Sequence, residues 1–470
     1  MRTLVWFRGK DLRVADHPPL VDAARAGEVI PLFVLDPYFF APERARLLPH
    51  RMQFLLESLV ELESRIAALG SSLVVVAGRS TEVVPRLAAE WKVDRVLAHR
   101  WVEPFGRERD RRVSELLDVP LVLHEGETLL PPESLRTGSG GPFSVFTPFS
   151  RAFLARASIA RPLAAPDTLS PLPADVRATR ARIPTLESLG IAHNPSLLAG
   201  GERAARARLH NLVERIASRY HETRDRMDQD GTSRLSQDLK FGTLSARTVW
   251  RALDDLPGDG ARVFKNELIW REFAHSTLWD RPELLQQPFR AEFTGFPWRD
   301  DEGAWSSWAE GRTGFPVVDA AARQLLGEGF VHNRARMIAA SFLTKDLMID
   351  YRRGEAHYMQ WLTDGDWAQN NFGWQWSAGC GCDAQAYFRV FNPALQGAKF
   401  DPAGDYVRRW VPELAKMPAR WIHTPADAPA DVLRAAGVTL DTTYPRPVVN
   451  HALARDRFLD AAKRHVSRTR

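Results

Sequence analysis

Two cysteines in 470 residues cannot build a disulfide framework, and Cys380 and Cys382, one glycine apart with no second pair, make no plausible zinc site. Long apolar runs are missing as well. None reaches about eighteen residues, so no helical membrane span is expected. The N-terminal MRTLVWFRGKDLRV is charged where a secretory signal needs an apolar core, which points to a cytoplasmic protein. No GxGxxG follows the first apolar run. RGKDLRVADH stands there instead, and a dinucleotide held in the usual Rossmann manner is not expected.

What is present is an ordinary soluble composition, 44% hydrophobic and 26% charged, in a chain long enough for two or three domains. Net charge is only +5, but it is unevenly spread. Arginines 151, 156, 161, 177, 180 and 182 face only Asp167 and Asp175, and residues 434–470 carry eight basic against three acidic side chains. Such clusters suit a polyanion, or a solvated arginine-rich surface.

The first part alternates short apolar runs (Leu4 to Phe7, Val29 to Leu35, Ser72 to Ala77, Arg95 to Ala98, Pro120 to Leu123) with helical periodicity at 50–69, 81–91 and 106–117. That spacing predicts a parallel sheet covered by helices on both faces, a Rossmann-like α/β domain over residues 1–130. Composition then shifts to Pro, Gly, Ser, Ala and Arg, which reads as a connector over 131–200 whose FSVFTPFSRAFL is apolar enough to dock. From 201 to 470 the pattern is helical, and twelve of the fifteen tryptophans lie beyond position 249. The fold class is therefore α/β followed by an all-helical domain.

Between Asp364 and Trp376 the chain reads DGDWAQNNFGWQW: two acids, two adjacent amides and three tryptophans in thirteen positions. Acids and amides hydrogen-bond a flat heterocycle, and indoles stack on bases or pass electrons. At 230–245, DGTSRLSQDLKFGTLS gathers hydroxyls at helix starts, which serve as N-caps or as an anion site. NELIWREF puts Glu267 and Trp270 on one helical face, and VHNRARM puts Asn333 and Met337 on another, with Arg334 pointing off it.

Together with CGCDAQAYFRVFNP, these motifs resemble the photolyase/cryptochrome family. The resemblance runs from TLVWFRGKDLRVADHPPL to YPRPVVNHALARDRFLDA, nearly the whole chain. It implies an antenna-binding α/β domain and a helical domain holding FAD, active as FADH⁻. TSRLS (Thr232, Ser233, Arg234, Leu235, Ser236) matches the phosphate-binding motif, and Tyr220 matches a tyrosine packed beside the cofactor. Asp364, Asp366, Arg336 and Asn370 match residues around the flavin.

Within the family the chain looks most similar to class I cyclobutane pyrimidine dimer photolyases. Their substrate positions are filled here by Glu267, Trp270, Asn333, Met337 and Trp376. Members specific for the (6-4) photoproduct carry histidine where Met337 sits. The implied activity is light-driven electron transfer from reduced FAD to a dimer flipped out of UV-damaged DNA, with Arg334, Arg389 and Lys399 on the DNA backbone. A monomer without membrane contact is expected. The alternative is a blue-light photoreceptor without repair activity, against which the filled pocket and short tail argue.

Two positions depart from the family. Of the three tryptophans that carry electrons to its flavin, Trp374 matches the proximal and Trp298 the distal one, but Tyr351 holds the middle, with Trp361 and Trp367 as candidate substitutes. The antenna motif WVEPFGRERD resembles deazaflavin-binding members, since folate binders have glutamate where Gly106 falls. Asp36, Arg51, Glu103 and Arg109 are the candidate antenna contacts, with deazaflavin favoured over folate.

Overall fold

The computed structural model describes residues 1–176, 181–383 and 386–469. Arg177 and Arg180 of the basic segment, Ala384 and Gln385 of the second motif, and Arg470 lie outside the described residues. The chain forms two compact units: residues 1–218 with 233–282, and residues 219–232 with 283–470. The divisions at 130 and 200 follow composition rather than these units.

In the first unit the apolar runs become five strands: β1 (Arg2–Phe7), β2 (Glu28–Leu35), β3 (Val74–Ala77), β4 (Arg95–His99) and β5 (Leu121–His124). All pair in parallel in the order β3-β2-β1-β4-β5. Alternate residues feed opposite cores. Val5, Phe7, Val29 and Phe33 pack with Leu20 of α1 (Pro18–Ala26) and with Phe54 and Leu59 of α2 (Pro49–Ala68). Leu4, Trp6, Ile30 and Leu32 pack with Val84 and Leu87 of α3 (Ser80–Glu90) and Val113 of α4 (Pro104–Leu116). Helices thus cover both faces, which explains why the strands read as continuous apolar runs.

Helix α1 escaped the periodicity reading because Pro18 and Pro19 resemble a break, yet proline is well tolerated where a helix begins. The connector's apolar stretch forms α5 (Phe146–Arg156), which buries Phe146, Phe149 and Phe153. Phe149 meets Phe273 of α6 (Asp259–Asp280) at 4.9 Å between ring centroids. The connector also hydrogen-bonds along the domain through Leu163, Leu169 and Ala181.

The second unit is helical. Its core gathers Val318, Ile338, Phe342, Leu347, Trp374 and Phe458 among many others. Four of its helices matter for the site: α7 (Glu302–Ala309), and α8 (Asn333–Ser341), α9 (Tyr351–Trp361) and α10 (Trp367–Ala378), which carry or flank this unit's acids, amides and tryptophans singled out between 333 and 376. The stretch from 333 to 351 reads as one helix, but it widens to a π-turn at Phe342–Asp346 and ends near Met348, whose φ is 55°. Asp350 then caps α9 by accepting from the Arg352 N–H. Among the described residues no helix is long and apolar enough to cross a membrane.

Candidate functional site

The sequence candidates fall on both units. In the second, Asp364 and Asp366 lie in the tight turn before α10. Asp366 caps that helix, its carboxylate accepting from the Gln369 N–H at 3.0 Å. Arg336, one turn into α8, donates through Nη2 to Asp364 Oδ2 at 2.8 Å and through Nε to the Val331 carbonyl at 2.7 Å. Arg336 and Asp364 thus form an ion pair. Asp364 Oδ1 is buried with no hydrogen-bond partner, an acceptor of the kind a ligand's N–H or hydroxyl would satisfy.

Asn370 is half-buried, and its side-chain amide donates to the Glu355 carbonyl at 3.0 Å. Asn371, which sequence reasoning passed over, donates to both oxygens of the Glu355 carboxylate at 3.1 and 3.2 Å. Burial pushes the Glu355 carboxyl up to about 7, against the stabilising bond from Asn371. Glu355 thus anchors both amides, and only the adjacency of two asparagines hinted at a second partner.

Asn333 and Met337 do share a face, with Asn333 Nδ2 3.9 Å from the Met337 sulfur. Arg334 turns away to pair with Asp225 at 2.8 Å and lies 4.3 Å over the Phe400 ring. Arg389 and Lys399 are exposed, Trp376 is half-buried and Tyr220 is buried.

In the first unit Glu267 and Trp270 are half-buried on α6, one turn apart. Phe146 stacks on Trp270 with centroids 3.5 Å and planes 5° apart, a contact no local pattern announces. In the TSRLS loop, Arg234 takes a left-handed backbone (φ 52°), and the Ser233 hydroxyl accepts from the Leu235 N–H at 3.3 Å. The Ser236 hydroxyl is buried without a partner. Thr232 closes the 219–232 segment of the second unit.

The antenna candidates are engaged locally. Asp36 accepts from the Ser80 N–H and hydroxyl at 2.8 Å each, Glu103 pairs with Lys10 at 2.8 Å, and Arg109 binds Asp110 at 2.7 Å while stacking 4.3 Å over Trp101. Arg51 is half-buried near the start of α2. A side chain at position 106 would sit 2.6 Å from the Trp101 ring, so a glutamate there requires that ring to move. A cavity of about 410 Å³ in this unit is lined by Arg100, Arg107, Trp101 and Trp279, and by none of the four antenna candidates.

For electron transfer, Trp374 is buried, with its ring edge over Gly354, where an added Cβ would meet it at 2.3 Å. Tyr351 lies 6.4 Å from Trp298, and its hydroxyl is buried without an acceptor. Burial pushes that phenol far above its ordinary range.

Comparison with known proteins identifies the family. Residues 3–168 match the family model for DNA photolyase, and residues 264–464 match that for the FAD binding domain of DNA photolyase. The deoxyribodipyrimidine photo-lyase of Agrobacterium fabrum is 38% identical over 97% of both chains. The crystal structure of a bacterial class III photolyase from Agrobacterium tumefaciens superposes with a TM-score of 0.92 at 37% identity, covering 99% of this chain and 97% of that one. A Synechocystis cryptochrome gives 0.90 at 31% identity over 98% and 99%. With motifs, fold and near-full-length likeness in accord, the chain belongs to the DNA photolyase family, among the deoxyribodipyrimidine photo-lyases.

Proposed function

We propose that the chain splits cyclobutane pyrimidine dimers in DNA with light, passing an electron from bound, reduced FAD to a dimer flipped out of the duplex. The observation that carries this reading is the Arg336–Asp364 pair with one buried carboxylate oxygen left over, at the turn leading into the helix of the anchored Asn370. A fixed acceptor and an amide suit a heterocycle with N–H and C=O edges. The unpartnered Ser236 hydroxyl suits a phosphate oxygen. When bound, FAD supplies the photoexcited electron donor.

The chain's own groups do the rest. Tyr220, Thr232, Ser233, Arg234, Leu235, Ser236, Arg336, Asp364, Asp366 and Asn370 hold the cofactor. Unstacking the lesion costs roughly a few kcal/mol. Contacts with Trp270 and Trp376 offset it by about 1–3 kcal/mol per base. Met337, touching Asn333, supplies an apolar, polarizable surface for a saturated pyrimidine pair. Arg389 and Lys399 are exposed for phosphate contacts, while Arg334 reaches a backbone only as part of its pair with Asp225. The packing of Gly106 against Trp101 supports deazaflavin over folate as antenna. Cytoplasmic monomers acting on UV-damaged DNA complete the reading.

Glu267, carrying its proton, donates a hydrogen bond to the pyrimidine carbonyls and steadies the negative charge that develops on them. Losing such a positioned donor typically costs about a hundredfold or more in rate. Glu267→Ala should therefore lose about that much repair, whereas Glu267→Gln, which keeps an N–H donor, should lose much less; equal losses sink this role.

The deciding experiment gives the photoreduced protein a thymine dimer in an oligonucleotide and follows recovery of thymine absorbance. Light-dependent recovery supports repair. Failure of both binding and recovery, with flavin bound, supports the second reading, a photoreceptor, which the likeness to the Synechocystis cryptochrome favours.

A further inference from the structure

The middle position of the expected electron path is ill suited to its task. Oxidising a tyrosine requires its phenolic proton to leave, and the Tyr351 hydroxyl is buried with no acceptor. Trp374 has other neighbours in the same unit. Its ring centroid lies 6.0 Å from Trp308 and 5.1 Å from Tyr358. Trp308, 2% exposed, lies 5.4 Å from Trp305, which is half-buried. Three indoles therefore run in van der Waals succession from a core residue to a residue that reaches water.

The surroundings suit a migrating positive charge. The Trp308 Nε1–H donates to the Ala339 carbonyl at 3.0 Å, a dipole oriented to stabilise an oxidised indole and too weak a base to take its proton. His357 faces both Trp305 and Trp308 edge-on, and burial lowers its pKa to about 4, so it adds no competing charge. Tyr358, like Tyr351, has a buried hydroxyl without an acceptor, so it serves as packing rather than as a redox stop. Arg353 lies 4.1 Å over Trp305 but is matched by Glu302 at 2.7 Å through two bonds. What remains of its charge favours loss of the Trp305 indole proton once that ring is oxidised.

We propose that Trp374, Trp308 and Trp305 form the working relay for flavin photoreduction in this chain, in place of the route through Tyr351 and Trp298. The inference rests on the flavin reading above. Trp374 gives one electron to the photoexcited flavin, Trp308 refills Trp374, and Trp305 refills Trp308. Trp305 ends one electron and one proton short, its N–H proton having gone to water. A thiol in solution returns both as a hydrogen atom, and the thiyl radicals from two such events couple to a disulfide.

The test is laser-flash absorption spectroscopy of tryptophan radicals in the purified, flavin-loaded protein, with flavin content and thermal melting measured alongside. Trp305→Phe and Trp308→Phe should each cut the yield of long-lived radical by about tenfold or more, with flavin content unchanged; Tyr351→Phe and Trp298→Phe should stay within about twofold of the parent. Loss in the latter pair with normal yield in Trp305→Phe overturns the relay, as does normal yield in all four. Trp308 is a core residue, so if its variant does not fold, the half-buried Trp305 decides alone. Parent protein that carries no flavin overturns the cofactor reading and the relay with it.

Discussion

Arg336→Ala should destabilise the protein by about 3 kcal/mol at neutral pH and strip it of most of its flavin. Removing one partner of a buried ion pair leaves a charge with neither water nor counter-charge, which typically costs about 3–5 kcal/mol. Asp364 is 8% exposed, and Arg336 Nη2 is its hydrogen-bond partner at 2.8 Å. The guanidinium side chain retains 27% exposure, which sets the expectation at the lower end of that range. The loss belongs to the stranded carboxylate, so Arg336→Ala combined with Asp364→Asn should recover much of the stability. It should not recover flavin fully, because the neutral amide carbonyl accepts more weakly than the carboxylate and the guanidinium that positioned it is gone. Urea unfolding of the parent, both single variants and the double variant separates the two effects. Additive losses in the double variant would falsify the claim that the pair works as a unit.

Glu355→Gln should abolish a pH dependence of stability between about 4.5 and 7. In the unfolded chain this carboxyl has its ordinary value of 4.5, and in the fold burial lifts it to about 7. Between those values the folded state holds a proton that the unfolded state has lost, so stability falls as pH rises. The contribution is fully present below 4.5 and gone above about 7. A rise of that size corresponds to about 3 kcal/mol. The parent should therefore weaken toward pH 8 relative to pH 5, while the glutamine variant stays nearly level. Denaturant midpoints at the two pH values measure this, and parallel curves for the two proteins would refute it. Since the Glu355 carboxyl accepts from Asn371, next to Asn370, the flavin absorption band of the folded parent should shift as that carboxyl titrates around pH 7, and the glutamine variant should show no such shift.

The sheet was legible because each strand is apolar on both sides and brief, and the helices between carry plain three- and four-residue periodicity. The DGDWAQNN motif was legible for another reason: its acids cap and pair within a few residues of helix ends, where local rules hold. What escaped the sequence depends on distant partners. Asp36 and Glu103 have the chemistry of ligand contacts, but Ser80 and Lys10 engage them, and only tertiary structure brings those partners close. Arg334 found Asp225 in the same way. The π-turn after α8 has no compositional mark, because Phe342–Asp346 is as good a helix former as its flanks. Trp308 and Trp305 have no motif around them, and only the fold brings their rings into line with Trp374.

Under the proposed function, the stacking of Phe146 gives Trp270 a handedness of use as substrate platform. One face of that indole is permanently spoken for, at 3.5 Å, by a ring from the connector helix. In that role Trp270 has one face open to a pyrimidine, as a floor receives a load rather than as jaws grip it. Its tilt is set by residues more than a hundred positions upstream in the chain. A change in the connector that repacks α5 would thus retune lesion recognition without touching any residue that meets the lesion.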